Sequence, residues 1–164
     1  MSAYTKLMSP MIDQECLISA LGDLGFGAEK LEVHDTPVNL QGYGGDLRPE
    51  RANVLIRKKH VGHASNDIGF LATPFGFVAH ISQFDRQNYS EQWLGSLHAA
   101  YQTRLAAKLE RIAAEERQRL EEERQRVVEA QRLAVHARAK KMGYQVQEAR
   151  EGDKIRLMLV KRTY

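Results

Sequence analysis

The stretch ANVLIRKKHVGHASNDIGF, residues 52–70, decides the fold. It contains one short apolar run, Val54 to Arg57, and begins a second that continues from Asp67 to Ala72. Runs of this length, bounded by glycine and polar residues, read as strands. A third, Phe77 to Ile81, follows the turn TPFG. The connections KKHVGHASN and TPFG are short and polar or glycine-bearing, so the strands are expected to form an antiparallel meander.

On the amino-terminal side, AYTKLM, residues 3–8, reads as another strand. Asp13 is placed to cap a helix whose Leu17, Ala20, Leu21 and Leu24 share one face before Gly25 ends it. That face needs a sheet to cover. Residues 31–46 read as extended chain broken by Pro37, with Gly42, Gly44 and Gly45 at a bend.

On the carboxy-terminal side, Glu91 to Met142 is 52 residues without proline, and Gly95 is its only helix breaker. Asn88 with Glu91 is the expected amino-terminal cap, and Gly143 the stop. Trp93, Leu94, Leu97, Tyr101, Leu105 and Leu109 form a core-facing stripe, and Val127, Val128, Leu133, Val135 and Met142 a looser one. The segment between, ERIAAEERQRLEEERQR at 110–126, holds only Ile112, Leu120 and two alanines among charges paired four residues apart. It reads as a solvated or coiled-coil stalk. Residues 144–162 alternate, turn at Glu151-Gly152-Asp153 and return through Ile155, Leu157 and Leu159, which predicts a hairpin.

The expected architecture is α+β, a mainly antiparallel sheet of ferredoxin-like or related order. Residues 1–105 form the domain, 106–142 a long charged helix, and 143–164 a hairpin that completes a sheet. The composition, 43% hydrophobic and 27% charged over 164 residues, suits a globular chain. No apolar run approaches a membrane span, the first residues lack the regions of a signal peptide, and Cys16 stands alone, so a cytoplasmic protein is expected.

Net charge is +3. Residues 106–141 hold ten Lys or Arg against seven Glu, so the rest of the chain has no basic excess to follow a phosphate backbone. Nucleic-acid contact through the charged helix and Arg57-Lys58-Lys59 is therefore an alternative rather than the leading expectation. His60 and His63, with His80 or His34 as a third ligand, are candidates for zinc and a metal-dependent enzyme. HVGHAS, however, lacks the HExxH pattern on a helix, which leaves them as loop residues. No phosphate-binding glycine motif and no nucleophile elbow occurs. Asp67, at a strand start, reads as a cap for loop backbone.

Three segments, ALGDLGF at 20–26, QGYGGD followed by ANVLIR and NDIGF, and GYQVQEAREGDKIRLMLVKR, carry a resemblance. The chain resembles the family of unknown function typified by the chloroplast and cyanobacterial hypothetical reading frame thirty-five proteins, with an insertion around residues 108–130. The resemblance implies an α+β domain and association with AAA+-type ATPases, defence systems included. It implies no catalytic residue and no cofactor. A non-enzymatic accessory or assembly subunit is therefore expected.

Fifty-two helical residues would span roughly 78 Å, too far for both ends to reach one small core. The hairpin is thus expected either to return through a fold-back of the helix or to complete a neighbouring subunit. The second is favoured, giving a dimer or larger assembly held by Leu109, Ile112, Leu120 and Val127 and by Ile155, Leu157 and Leu159.

Overall fold

The computed structural model describes residues 3–161. Residue 162, the last of the predicted hairpin, and the rest of the 143–164 segment beyond it lie outside the described residues. The chain forms two compact units, Met1–Glu110 and Arg111–Tyr164, so the charged helix beyond residue 110 groups with the hairpin. None of the described helices is long and apolar enough to cross a membrane.

The first unit is built from β1 (Tyr4–Met8), α1 (Gln14–Asp23), β2 (Leu31–Gln41), β3 (Leu47–Ile56), the single turn α2 (Lys58–Val61), β4 (Ile68–Thr73), β5 (Gly76–Ser82) and the start of α3 (Glu91–Lys141). The sheet is wholly antiparallel in the order β1-β5-β4-β3-β2. It is the expected meander, with the first strand added at the β5 edge. This succession differs from the β-α-β-β-α-β order of a ferredoxin-like domain.

One sheet face carries Val54, Ile56, Ile68, Phe70, Phe77, Ala79 and Ile81, packed against Leu17, Ala20 and Leu21 of α1 and Leu97 and Tyr101 of α3. Asp13 caps α1 by accepting from the Cys16 N–H at 2.9 Å. The Tyr101 hydroxyl accepts the N–H groups of Ile12 and Asp13, and Lys108 reaches the Asp13 and Glu15 carboxylates. The first turns of α3 are therefore fastened to the entry of α1. Cys16 is buried there, and burial pushes its thiol pKa up.

The expected cap at Asn88 is replaced. The Asn88 N–H closes a 3-10 turn on Asp85, and the Ser90 carbonyl accepts the first helical bond, from Leu94. The connection KKHVGHASN also differs from a plain turn, because Lys58–Val61 makes one helical turn that buries Val61.

β2 is eleven residues long, a span of about 36 Å if straight. Yet Leu31 pairs with Ile56, while Gln41 exchanges hydrogen bonds with Asp67, the neighbour of the Ile68 that also pairs with Ile56. Both ends of β2 thus reach the same place. The β2–β3 hairpin doubles back at a bulge between Val33 and Val38, where Pro37 has no N–H to contribute. Asn53 fills the gap: its amide donates to the carbonyls of His34 and Asp35, and its oxygen accepts from Ala72 N–H at 3.0 Å.

The folded-back half covers the second sheet face with Leu40, Ala52 and Leu55. Gly69 lies beneath it. A Cβ there would sit 2.6 Å from the Ala52 Cβ and 2.7 Å from Leu40 Cδ2, inside any tolerable contact. The element that comes close at this glycine is the returning hairpin, since α1 lies on the other face. Gly69→Ala should destabilise the first unit by about 1–3 kcal/mol by overpacking, and Gly69→Val should abolish its cooperative thermal transition. Wild-type melting of the valine variant would show that the second layer yields freely.

Candidate functional site

The NDIGF segment begins with two buried polar residues at the point where β2, β3 and β4 meet. The Asp67 carboxylate accepts from the N–H groups of Gln41 at 2.9 Å and Lys58 at 2.8 Å and from the Arg57 guanidinium at 2.8 Å. Its own carbonyl accepts from the Tyr4 hydroxyl at 2.9 Å. Arg57 continues to Glu32, whose carboxyl it holds below the usual carboxylate range. Asp67 is a strand-end cap, as its position at a strand start implies, and its oxygens are saturated by donors. Burial and the Asp67 charge raise the Tyr4 phenol well above its ordinary value.

Asn66 forms the second knot. Its amide donates to the Ser82 hydroxyl at 2.9 Å and to Asp85 at 3.0 Å, and its oxygen accepts from Tyr43 N–H. Asp85 also receives the Asn66 N–H and the Ser82 hydroxyl. All three side chains are buried. Among the described residues the Ser82 hydroxyl hydrogen-bonds Asn66 and Asp85 and no imidazole, an arrangement different from the serine–histidine pair of an acyl-transfer site. Next to it a surface pocket of about 430 Å³ is lined by Tyr43, Gly44, Asp46, Arg48, Ala64, Asn66 and Phe84. Its charged groups, Arg48 and Asp46, pair with each other at 3.0 Å.

The three histidines singled out by sequence are not brought together. His60 is half-buried on α2 and His63 is exposed in the following loop, whereas His80 is 2% exposed on β5, opposite Lys6 and Gly69. His34 lies on β2 and meets Glu32 at 3.5 Å. Among the described residues no group of three His, Cys, Asp or Glu side chains is arranged to hold a metal ion. Of the basic triplet, Arg57 is committed to Asp67 and Glu32, and the Lys58 ammonium donates to the Tyr43 carbonyl at 2.8 Å. Lys59 is exposed. The triplet presents one outward cation rather than three.

In the second unit, β6 (Tyr144–Glu151) and β7 (Lys154–Lys161) form a two-stranded sheet of their own. Within the chain the hairpin therefore adds no strand to the larger sheet, and α3 continues without a break to Lys141. Glu148 ties the hairpin to the helix by accepting from Arg132 at 2.6 Å and meeting His136 at 2.5 Å, and these partners lower its pKa. Glu121, Gln125, Val128 and Ile155 line a groove between helix and hairpin turn, so with Arg132, His136 and Ala139 they define the covered side of α3. Helical periodicity turns Ile112, Leu120 and Val127 to the opposite side, where all three are exposed. Leu109, in the first unit, is exposed as well. Ile155 and Leu157 are half-buried, but Leu159 is 56% exposed. Sequence periodicity did not single out Met158 and Val160 on the other hairpin face, which are exposed too.

No family model, curated protein or solved structure matches the chain.

His80 carries a testable consequence. Neither ring nitrogen has a hydrogen-bond partner among the described residues, and burial followed by the charge of Lys6 lowers its pKa, with Glu50 opposing. The unfolded chain takes up this proton near pH 6.5, while the folded chain resists it until lower pH. Stability conferred by the neutral imidazole is therefore lost as pH falls below about 6.5. His80→Leu should be at least as stable as wild type at pH 7 and should flatten the decline of thermal midpoint between neutral and mildly acidic pH, since it removes an unsatisfied buried polar group worth about 1–3 kcal/mol. A destabilised His80→Leu with unchanged acid dependence would assign the decline to other groups.

Proposed function

We propose that the protein is a non-enzymatic assembly subunit that associates with a second copy of itself through its carboxy-terminal unit. One observation carries this reading. Of the seventeen large hydrophobic residues exposed among the described residues, ten belong to the second unit: Ile112, Leu120, Val127, Val128, Leu133, Val135, Met142, Met158, Leu159 and Val160. Among the described residues of the same unit only Ala139 is a buried hydrophobic. A helix and a two-stranded hairpin with so little interior are marginal alone, and apolar patches of this density mark contact surfaces. The stripe of Leu109, Ile112, Leu120 and Val127 and the hairpin residues Ile155, Leu157 and Leu159 supply the contacts. An AAA+-type ATPase as a further partner, in a defence setting or elsewhere, is supported by the sequence resemblance alone.

A second reading, nucleic-acid binding, is favoured by where charge falls. Residues 111–164 hold fourteen Lys or Arg against nine Asp or Glu, whereas residues 1–110 hold ten against twelve. The basic excess thus belongs to the helix-and-hairpin unit, and binding through it would weaken steeply with salt.

Light scattering coupled to size exclusion at micromolar concentration should report a dimer or larger species. Leu120→Lys with Val127→Lys, both at exposed positions, should raise the dissociation constant about tenfold or more without moving the thermal transition of the first unit. A wild-type monomer would overturn self-association. Retention of labelled duplex at low salt by that monomer would favour the second reading.

A further inference from the structure

The exposed edge of β7 is more apolar than that of β6. β7 has Lys154, Arg156 and Lys161 but an unbroken apolar run, Leu157, Met158, Leu159 and Val160, whereas in β6 the apolar Tyr144, Val146 and Ala149 stand singly among Gln145, Gln147, Glu148, Arg150 and Glu151. Charged residues along an edge discourage further pairing, and a long apolar edge invites it. The Glu148 carboxylate of β6 is held by Arg132 and His136, which fixes the helix-facing side of the hairpin and leaves both strand edges open. The β7 side chains at 158, 159 and 160 are all exposed.

The hairpin turn determines which β7 backbone groups are free. Glu151 pairs with Lys154 across a two-residue loop whose first position, Gly152, has φ of 59°. Positive φ at that position alone is the type II′ pattern, because Asp153 is not among the residues with positive φ. A two-residue loop is closed by a hydrogen-bonded pair, so Lys154, Arg156, Met158 and Val160 direct their N–H and C=O groups toward β6. Ile155, Leu157 and Leu159 direct theirs outward.

We infer that β7 pairs with β7 of a second copy in antiparallel register centred on Leu157, joining the two hairpins into one four-stranded sheet; this rests on the self-association proposed above. A two-fold axis makes the contact self-complementary. In this register Leu157 faces its own copy, Ile155 faces Leu159, and Asp153 meets Lys161 at both ends. All the outward backbone groups of the central residues find partners. Shifting the centre to Arg156 would place two arginines opposite each other, and shifting it to Met158 would set Ile155 against Lys161; like charges and mismatched pairs disfavour both. The four-stranded sheet carries both α3 segments on one face, which gives Leu159 and Ile155 neighbours across the new seam.

The test uses the full-length chain. Hydrogen exchange of the wild-type protein should show the amides of Ile155, Leu157 and Leu159 protected, although in a lone hairpin they point to solvent and would exchange at the rate of open chain. Leu157→Cys in a Cys16→Ala background should form a disulfide-linked dimer under mild oxidation, because a hydrogen-bonded antiparallel pair sets the two Cα atoms about 5.5 Å apart, within disulfide reach. Met158→Cys should not, since its nearest counterpart across the seam is Arg156. Circular dichroism of each variant against wild type confirms that it folds, and the exchange result stands independently of either substitution. A dimer by light scattering with unprotected odd-numbered β7 amides would overturn this pairing while leaving self-association in place. A monomer would overturn both.

Discussion

The carboxylate of Asp67 is the point on which the first unit turns. An ionised side chain without solvent is tolerated only when its oxygens are fully engaged, and here two backbone N–H groups and one guanidinium engage them. Those donors come from the end of β2 and from the junction of β3 with α2, so one side chain holds three segments in register. The doubling-back of the β2–β3 hairpin depends on it. With Gln41 fastened at Asp67, Leu40 is carried over Gly69, and the second face of the sheet acquires a cover that no helix supplies.

Asn53 works at the other end of the same bend. Three extra residues of β2 lie opposite the strand between the Val33 and Val38 pairings, and the carbonyls of His34 and Asp35 there have no ladder partner on β3. The Asn53 amide donates to both, and its oxygen takes the Ala72 N–H that the shortened β3–β4 ladder leaves over. Polar residues at the two ends of the bend thus satisfy backbone groups that the bend leaves over, which is why Asn53 and Asp67 lie in the interior of this unit beside its aliphatic core.

The second unit obeys a different constraint. Its helix is polar nearly all round, and pairs such as Arg124 with Glu121 and Gln118 with Glu122 favour the helix where its side chains face solvent. Solvated pairs of this kind add only tenths of a kcal/mol each, so they favour helix without specifying what it touches. Specification is left to the sparse apolar positions. Their exposure, together with the basic excess of residues 111–164, leaves the apolar and basic groups of this unit toward solvent, while the buried Asn66, Asp67, Ser82 and Asp85 of the first unit are engaged by partners.

The long helix, the strands of the meander, the Asp13 cap and the buried face of α1 were legible because each is written in short-range spacing: 3.6-residue periodicity, alternation, or a cap next to the turn it closes. Asp67 showed itself only as a carboxylate at a strand start, since its donors lie 26, 10 and 9 residues away in sequence. The grouping of Asn66 with Ser82 and Asp85 left no periodic trace at all. The arrangement of β2 was hidden for the same reason, because Pro37 announces a break but the direction of the chain after it depends on Asp67 and Asn53. Charge counted along segments suggested a neutral remainder, and only the division of the chain at residue 110 showed where the excess resides. Local physics therefore determined which residues are helix and which are strand; hydrogen bonds between distant residues, whose strength depends on burial that no window of sequence contains, decided how the sheet is covered and which surfaces remain open.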